Sequence, residues 1–399
     1  MQMQDKQNRI VGEALPRLLV KNGLDATPML NAARTGLADT LKVLGDLVER
    51  RYGGATDTPS LEVLSQLQGS INESLREIAR RIVSRDGAEV APDAPIHAGG
   101  FSWVVKVSYQ GKPCALVLPK FTLGDYEEKI AIRAEMGRLL PDSDRYSMPR
   151  AVKCFSSPVP CALMTYVTGE NCYTRTFDGE RKPHQSGIGP AAGIEVFRKL
   201  GELAQGFSTV QGERFGAPLK LPYASAGEYI RTHTDKIERE LFSNTSLNVE
   251  KYGLSLSQLR RVVEWVKRDA ESQTTSYLTH GDLSPWNLLH DASTQTWSLV
   301  DGDDAKFGVL GEQIGVCLNS MCGNFNRAWI DALMDGYGAL GDEQRRHLLI
   351  RGAAYGTVTY GLTNVLNPWS QANAEMCRDT SFLYLTPCLR LFNELVPNT

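Results

Sequence analysis

Apolar residues recur at helical spacing along the first eighty or so positions. Leu37, Leu41, Leu44 and Val48 stand four, three and four residues apart and run out at Gly53-Gly54. This spacing predicts an amphipathic helix with a glycine stop. Thr58-Pro59 then fits an N-cap followed by proline at the first helical position. The next helix carries Leu64, Leu67, Ile71, Leu75, Ile78 and Ile82 on one face, with Arg76, Arg80, Arg81 and Arg85 in its later turns. Cations suit that end of a helix. Asp86-Gly87 and Ala91-Pro92-Asp93-Ala94-Pro95 break the pattern. Residues 1–90 are therefore expected to form an N-terminal helical module.

Beyond the break the pattern turns to strands. Ile96–Ser102 contains a glycine turn, Trp103–Tyr109 is a β-rich run, Gly111-Lys112-Pro113 is a hairpin turn, and Cys114–Phe121 is a second strand. A helix is expected over Tyr126–Leu140, with Ile130, Ala134, Gly137 and Leu140 on one side. Strands follow at Ala151–Phe155 and Cys161–Val167. Together they predict a small α+β layer over residues 91–168. Residues 170–190 are polar and rich in Gly and Pro. From Glu195 the spacing is helical again, first with Val196, Leu200, Leu203 and Phe207, then over 225–242 and 255–271. Helices are also expected at 311–322, 325–340, 342–364 and 379–395. Residues 169–399 are thus read as a mainly helical domain.

Composition narrows the function classes. The 399 residues are 42% hydrophobic and 22% charged, as in an ordinary soluble globular protein, and the net charge of −3 gives no whole-chain reason to bind nucleic acid or an anionic membrane. Met1–Ile10 is polar, without the apolar stretch of a secretory signal, and no run approaches the length of a membrane span. The eight Cys (114, 154, 161, 172, 317, 322, 377 and 388) show no C-x-x-C pair and read as buried or free thiols. A cytoplasmic location is expected.

The chemistry concentrates in Leu278-Thr279-His280-Gly281-Asp282-Leu283-Ser284-Pro285-Trp286-Asn287-Leu288-Leu289. Asp282 precedes Asn287 by five residues in a loop marked by Gly281 and Pro285. Asp301 follows fourteen residues after Asn287, at the end of an apolar run. Two short strands joined by a turn would bring Asn287 and Asp301 together as oxygen ligands for a hard cation, leaving the Asp282 carboxylate slightly apart. Phosphoryl transfer from a Mg-nucleotide needs such a set. His280 reads as a packing residue, and the aromatic residues Trp329, Tyr337, Tyr355, Tyr360 and Trp369 read as core.

On these residues the chain resembles the aminoglycoside phosphotransferase and choline kinase group of the protein-kinase-like superfamily. His280–Leu289 is similar to that group's His-Gly-Asp-Leu-x-x-x-Asn loop, and Leu299–Ala305 to its metal-binding segment. Ala98-Gly99-Gly100-Phe101-Ser102 looks like its phosphate loop and Leu163–Gly169 like its hinge. The resemblance covers about residues 95–320 and implies a bilobal kinase-like α+β fold, with a β-rich N-lobe and a helical C-lobe. It implies ATP and Mg²⁺ as cofactors. Asp282 would orient the acceptor hydroxyl and take its proton, and Asn287 and Asp301 would hold Mg²⁺. Lys120 would meet the phosphates, with Glu135 as its ion-pair partner. Gly99, Gly100 and Ser102 would cover the phosphates, and the backbone at Thr165, Tyr166 and Val167 would bind adenine. Trp103 stands where the family often has Asn, and Gln313 where many relatives have Asp.

The implied activity is transfer of the γ-phosphoryl group to a hydroxyl of a small molecule of the aminoglycoside, choline, sugar or amino-alcohol class. Two alternatives stay open. One is a protein kinase acting on Ser, Thr or Tyr, with residues 1–90 as a docking segment for a protein partner. The other is a nucleotide-binding pseudokinase scaffold.

Overall fold

The computed structural model describes residues 15–21, 26–35, 37, 39–44, 61–98, 102–120, 126–140, 143, 146–157, 159–172, 176–177, 183–184, 190–243, 249–321, 325–367 and 374–397. The chain divides into two compact units. The first takes residues 1–134 and 149–167, the second residues 135–148 and 168–399.

In the first unit, helices α1 (Leu15–Lys21), α2 (Thr27–Thr35) and α3 (Leu61–Val83) precede the strands β1 (Ala88–Glu89), β2 (Ile96–Ala98), β3 (Ser102–Tyr109) and β4 (Lys112–Pro119). Helix α4 (Tyr126–Leu139) begins in this unit, and β5 (Ala151–Phe155) and β6 (Cys161–Thr165) complete the sheet. The strands run β1-β3-β4-β6-β5, with β2 also paired to β3, and every pairing is antiparallel. Strand alternation sends Leu116 and Leu118 of β4 to one face of the sheet and Ala115 and Val117 to the other. Ile71, Leu75, Ile78 and Ile82 of α3 cover the first face together with Trp103, Val105 and Val107. Tyr126 and Ile130 of α4 cover the second. A strand buried on both faces reads as a continuous apolar run, and the last six residues of β4 are all buried.

Two of the late-turn arginines of α3 have a more specific role than matching a helix dipole. Arg76 Nε donates to the Ala94 carbonyl at 3.0 Å and Arg80 Nε to that of Val90 at 3.5 Å. They tie the helix to the segment that leads into β2.

The second unit is mainly helical. Its described helices are α5 (Pro190–Ser208), α6 (Ala226–Ile237), α7 (Leu256–Glu271), α8 (Glu312–Asn319), α9 (Arg327–Tyr337), α10 (Asp342–Tyr355), α11 (Thr363–Leu366) and α12 (Ala374–Leu395). Wider π-type turns continue α6 over Glu238–Phe242 and join α10 to α11 over Gly356–Leu362. The short strands β7 (Glu170–Asn171), β8 (Thr176–Phe177), β9 (Pro183–His184) and β10 (Gln211–Gly212) come before α7, and further short strands carry the loops between α7 and α8. Strand β11 (Ser276–Thr279) pairs with β14 (Lys306–Gly308), and β12 (Leu288–Asp291) pairs with β13 (Thr296–Leu299).

Candidate active site

The β12–β13 hairpin sets the geometry of the second unit's candidate site. Its turn is pinned by Asp291, whose Oδ1 accepts from the Ser293 backbone N–H at 2.9 Å and the Ser293 hydroxyl at 2.6 Å. The register places Leu288 opposite Leu299, and the Val300 N–H reaches the Asn287 carbonyl at 2.9 Å. Asn287 and the residue before Asp301 are therefore paired at the hairpin's open end. Asp301 itself takes the left-handed conformation, φ 66° and ψ 49°, which Asp tolerates better than most residues. Its side chain is exposed.

The loop before β12 is held against this segment. Gly281 has φ +83°, and a Cβ there would stand 2.1 Å from the Asp304 carbonyl oxygen. Only glycine fits both conditions. Gln313 of α8 accepts from the His280 N–H at 2.6 Å and so buttresses the loop backbone. The His280 ring is buried edge-on to Phe207. Burial holds its pKa below the ordinary imidazole value, against the pull of Asp282 and Asp303. A neutral imidazole in this setting is a packing group.

Asp282 is held by three side chains. Oδ2 accepts from Trp286 Nε1 at 3.1 Å and from Asn287 Nδ2 at 2.9 Å, while Oδ1 accepts from the Tyr360 hydroxyl at 2.8 Å. Asn287 Nδ2 also donates to the Asp282 carbonyl at 2.9 Å. With its nitrogen committed in this way, the amide turns its oxygen away from Asp282. Among the described residues, no group donates to that oxygen. The donor set of a neutral amide oxygen and an exposed carboxylate suits a hard cation that completes its shell with phosphate oxygens and water.

Behind the loop lies a buried polar cluster. Lys306 Nζ pairs with Glu312 Oε1 at 2.7 Å, and Tyr229 donates to the same carboxylate at 2.9 Å. His233 packs edge-on to Tyr229 and shares a hydrogen bond with Thr363. Burial alone would drive Glu312 up and Lys306 down; their mutual attraction more than offsets both, leaving Glu312 lowered and Lys306 raised. His233 differs. Burial, with Lys306 acting in the same direction, pushes it down to about 4, and only Glu312 opposes.

A pH prediction follows from that sign. The unfolded chain protonates this imidazole near 6.5 and the folded chain near 4, so between those values the unfolded state binds more protons. Stability from neutral His233 is complete above the upper value and is lost as pH falls through the window, by roughly 3 kcal/mol in all. The urea midpoint should fall more steeply over this range in the wild type than in His233→Gln. Equal slopes would remove His233 from the account.

The first unit holds most of the remaining expected residues. Gly99 and Gly100 lie outside the described residues. Ser102 opens β3 opposite Pro119 and is buried. Lys120 lies just past the end of β4, buried, with its ammonium 4.7 Å from the centre of the Trp103 ring. That contact is a cation–π interaction, and Trp103 is here a fully buried core residue. At the expected hinge, Thr165 N–H is taken by the Arg150 carbonyl and Tyr166 N–H by that of Pro113. Val167 is the member of the trio whose N–H has no partner among the described residues. Glu135, in the second unit, gives both carboxylate oxygens to Arg138 one turn on, at 2.9 and 2.5 Å. The expected partner of Lys120 is thus engaged with an arginine of its own helix.

Sequence reasoning missed Trp286 and Tyr360 as partners of Asp282 and the Lys306–Glu312 pair. Trp286 sits inside the motif, half-buried, and its indole N–H is a donor aimed at Asp282. Tyr360 stands 78 residues away and carries no local signal.

Comparison with known proteins adds the family. A sequence model of the phosphotransferase enzyme family (APH) matches residues 98–349, well over half of the chain. No curated protein matches it in sequence. Among solved structures, a macrolide 2'-phosphotransferase type I is similar over 80% of this chain and 97% of its own, at 13% identity and a TM-score of 0.51. Aminoglycoside phosphotransferase APH(4)-Ia is similar over 79% and 98%, at 15% identity and a TM-score of 0.52. At these identities the structures establish a shared fold, and the family match goes further: the chain belongs to the phosphotransferase enzyme family.

Proposed function

We propose that the chain transfers the γ-phosphoryl group of Mg-ATP to a hydroxyl of a small molecule. The observation that carries this reading is the second unit's oriented pair. The Asn287 amide nitrogen fixes Asp282, which leaves its oxygen for a cation, and the hairpin register sets the exposed Asp301 one residue past the Asn287–Val300 pairing. Asp282 would receive the acceptor hydroxyl and its proton. Asn287 and Asp301 would hold Mg²⁺, which would supply charge neutralisation for the transferring phosphoryl group. Lys120 is assigned to the phosphates and the free Val167 N–H to the adenine edge. Support for the nucleotide and the acceptor class comes from relatives of the same fold. APH(4)-Ia mutants were solved as ternary complexes with ADP and hygromycin B, and with AMP-PNP and hygromycin B.

The test is a titration with ATP. Affinity should be at least about tenfold higher with Mg²⁺ than with EDTA, since the phosphates are otherwise met by uncompensated carboxylates. Equal affinity would dismiss Asn287 and Asp301 as metal ligands. An acceptor screen by ATP consumption, over aminoglycosides, choline, sugars and amino alcohols, then identifies the substrate.

A further inference from the structure

We propose that Tyr360 is a positioning residue that leaves Asp282 one acceptor position for an incoming hydroxyl, on Oδ1, and keeps water off the rest of the carboxylate. The inference rests on the phosphotransferase reading above.

The argument begins with a count. A carboxylate offers about four lone-pair positions, two on each oxygen. Both positions on Oδ2 are engaged, by the Trp286 indole and the Asn287 amide, and one on Oδ1 is engaged by Tyr360. Among the described residues nothing takes the last. An acceptor hydroxyl that gives its proton to Asp282 must therefore approach Oδ1 directly beside the phenol. Trp286 is fixed in turn by stacking on Tyr384, with ring centres 5.9 Å apart and an interplanar angle of 22°.

The second observation is the cost of placing Tyr360. It lies in the π-type turn Gly356–Leu362 inside an otherwise continuous helical run. One inserted residue rotates everything after it by roughly 100° relative to a regular helix, and such turns recur at functional sites. The widened turn has dedicated support. The fully buried Asn319 donates to the Gly356 carbonyl at 2.8 Å and to that of Gly315 at 3.0 Å. Gly315 and Gly356 meet backbone to backbone, where a Cβ on Gly356 would stand 2.6 Å from Gly315 Cα. A buried asparagine and a glycine crossing hold the turn that carries the phenol to Asp282.

The consequence can be read without knowing the acceptor, using water as the only nucleophile. Phosphate release from Mg-ATP without added alcohol is measured for the wild type, Tyr360→Phe, Asp282→Asn and the double variant. Removing the phenol oxygen opens a second position on Oδ1 to water. Tyr360→Phe should raise hydrolysis about tenfold, or 1.4 kcal/mol of barrier, with Mg-ATP affinity unchanged. The double variant should lose the gain, because it runs through the carboxylate. A general loosening of the fold would not produce that dependence. Trp286→Phe, which opens Oδ2 instead, gives a second route to the same rise should Tyr360→Phe fold poorly. Hydrolysis equal to or below wild type in these variants, with Mg-ATP still bound, overturns the role of Tyr360. Failure of the wild type to bind ATP better with Mg²⁺ than with EDTA overturns the phosphotransferase reading, and this inference with it.

Discussion

Asp282→Asn should leave Mg-ATP binding almost intact and lower phosphoryl transfer by about 10²–10⁴-fold, the range attributed to a positioned general base. The asparagine can keep the local frame. Its amide oxygen can face Trp286 Nε1 and Asn287 Nδ2 as Oδ2 does now, and its amide nitrogen can face the Tyr360 hydroxyl, which accepts as readily as it donates. What is lost is the charge and the ability to take a proton. Asp282→Ala would be a poorer probe, since it strands three donors at once. The measurement is transfer of labelled γ-phosphate to the acceptor found by screening, with nucleotide affinity followed in parallel. Full turnover in the asparagine variant would remove Asp282 from the chemistry.

Glu312→Ala should be among the most destabilising single changes in the second unit, at about 3 kcal/mol or more, the usual cost of stripping a buried charge of its partner. The carboxylate lies 1% exposed, pairs with Lys306, accepts from Tyr229 at 2.9 Å and also takes the Val309 N–H at 3.3 Å. Removing it takes the carboxylate from a half-buried ammonium, a buried phenol and an amide, next to the strand that pairs with the residues leading into His280. Glu312→Gln should cost less, because it keeps an acceptor. Lys306→Met combined with Glu312→Gln should recover part of the loss, because the buried charge goes with its partner. Urea unfolding at neutral pH ranks the variants. A loss under about 1 kcal/mol for Glu312→Ala would mean that Lys306 reaches water, and that the pair is a surface ion pair in energetic terms.

The loop and hairpin of the candidate site were legible because their information is local. Gly281, Asp282, Pro285 and Asn287 lie within one loop, and the alternation around Leu288 and Leu299 fixes the hairpin that brings Asn287 alongside Val300 and Asp301. Long helices were legible for the same reason. The expected helix over 255–271 is found at Leu256–Glu271, and that over 225–242 as α6 plus a π-type extension. Three kinds of feature were not legible. Strands of two to four residues, such as β7 (Glu170–Asn171), β10 (Gln211–Gly212) and β14, are too short to show a period. A π-type turn changes helical phase without any residue announcing it, so Tyr360 read as one more core aromatic. Partner choice within a helix is also hidden: Arg138, three residues on, takes both oxygens of Glu135.

The way α3 covers the sheet has a consequence for how the chain folds as it is synthesised. The face of α3 that ends at Ile82 packs in one core with Leu116 of β4 and Leu163 of β6. Leu163 is made some eighty residues after Ile82. At ribosomal rates of about 5–20 residues per second, that face waits roughly 4–16 s for its last partners. Its contacts with the strands span long sequence separations, and contacts of that kind form late in folding. The face of α3 is then made well before it can close, and it is where a nascent-chain chaperone would find its target.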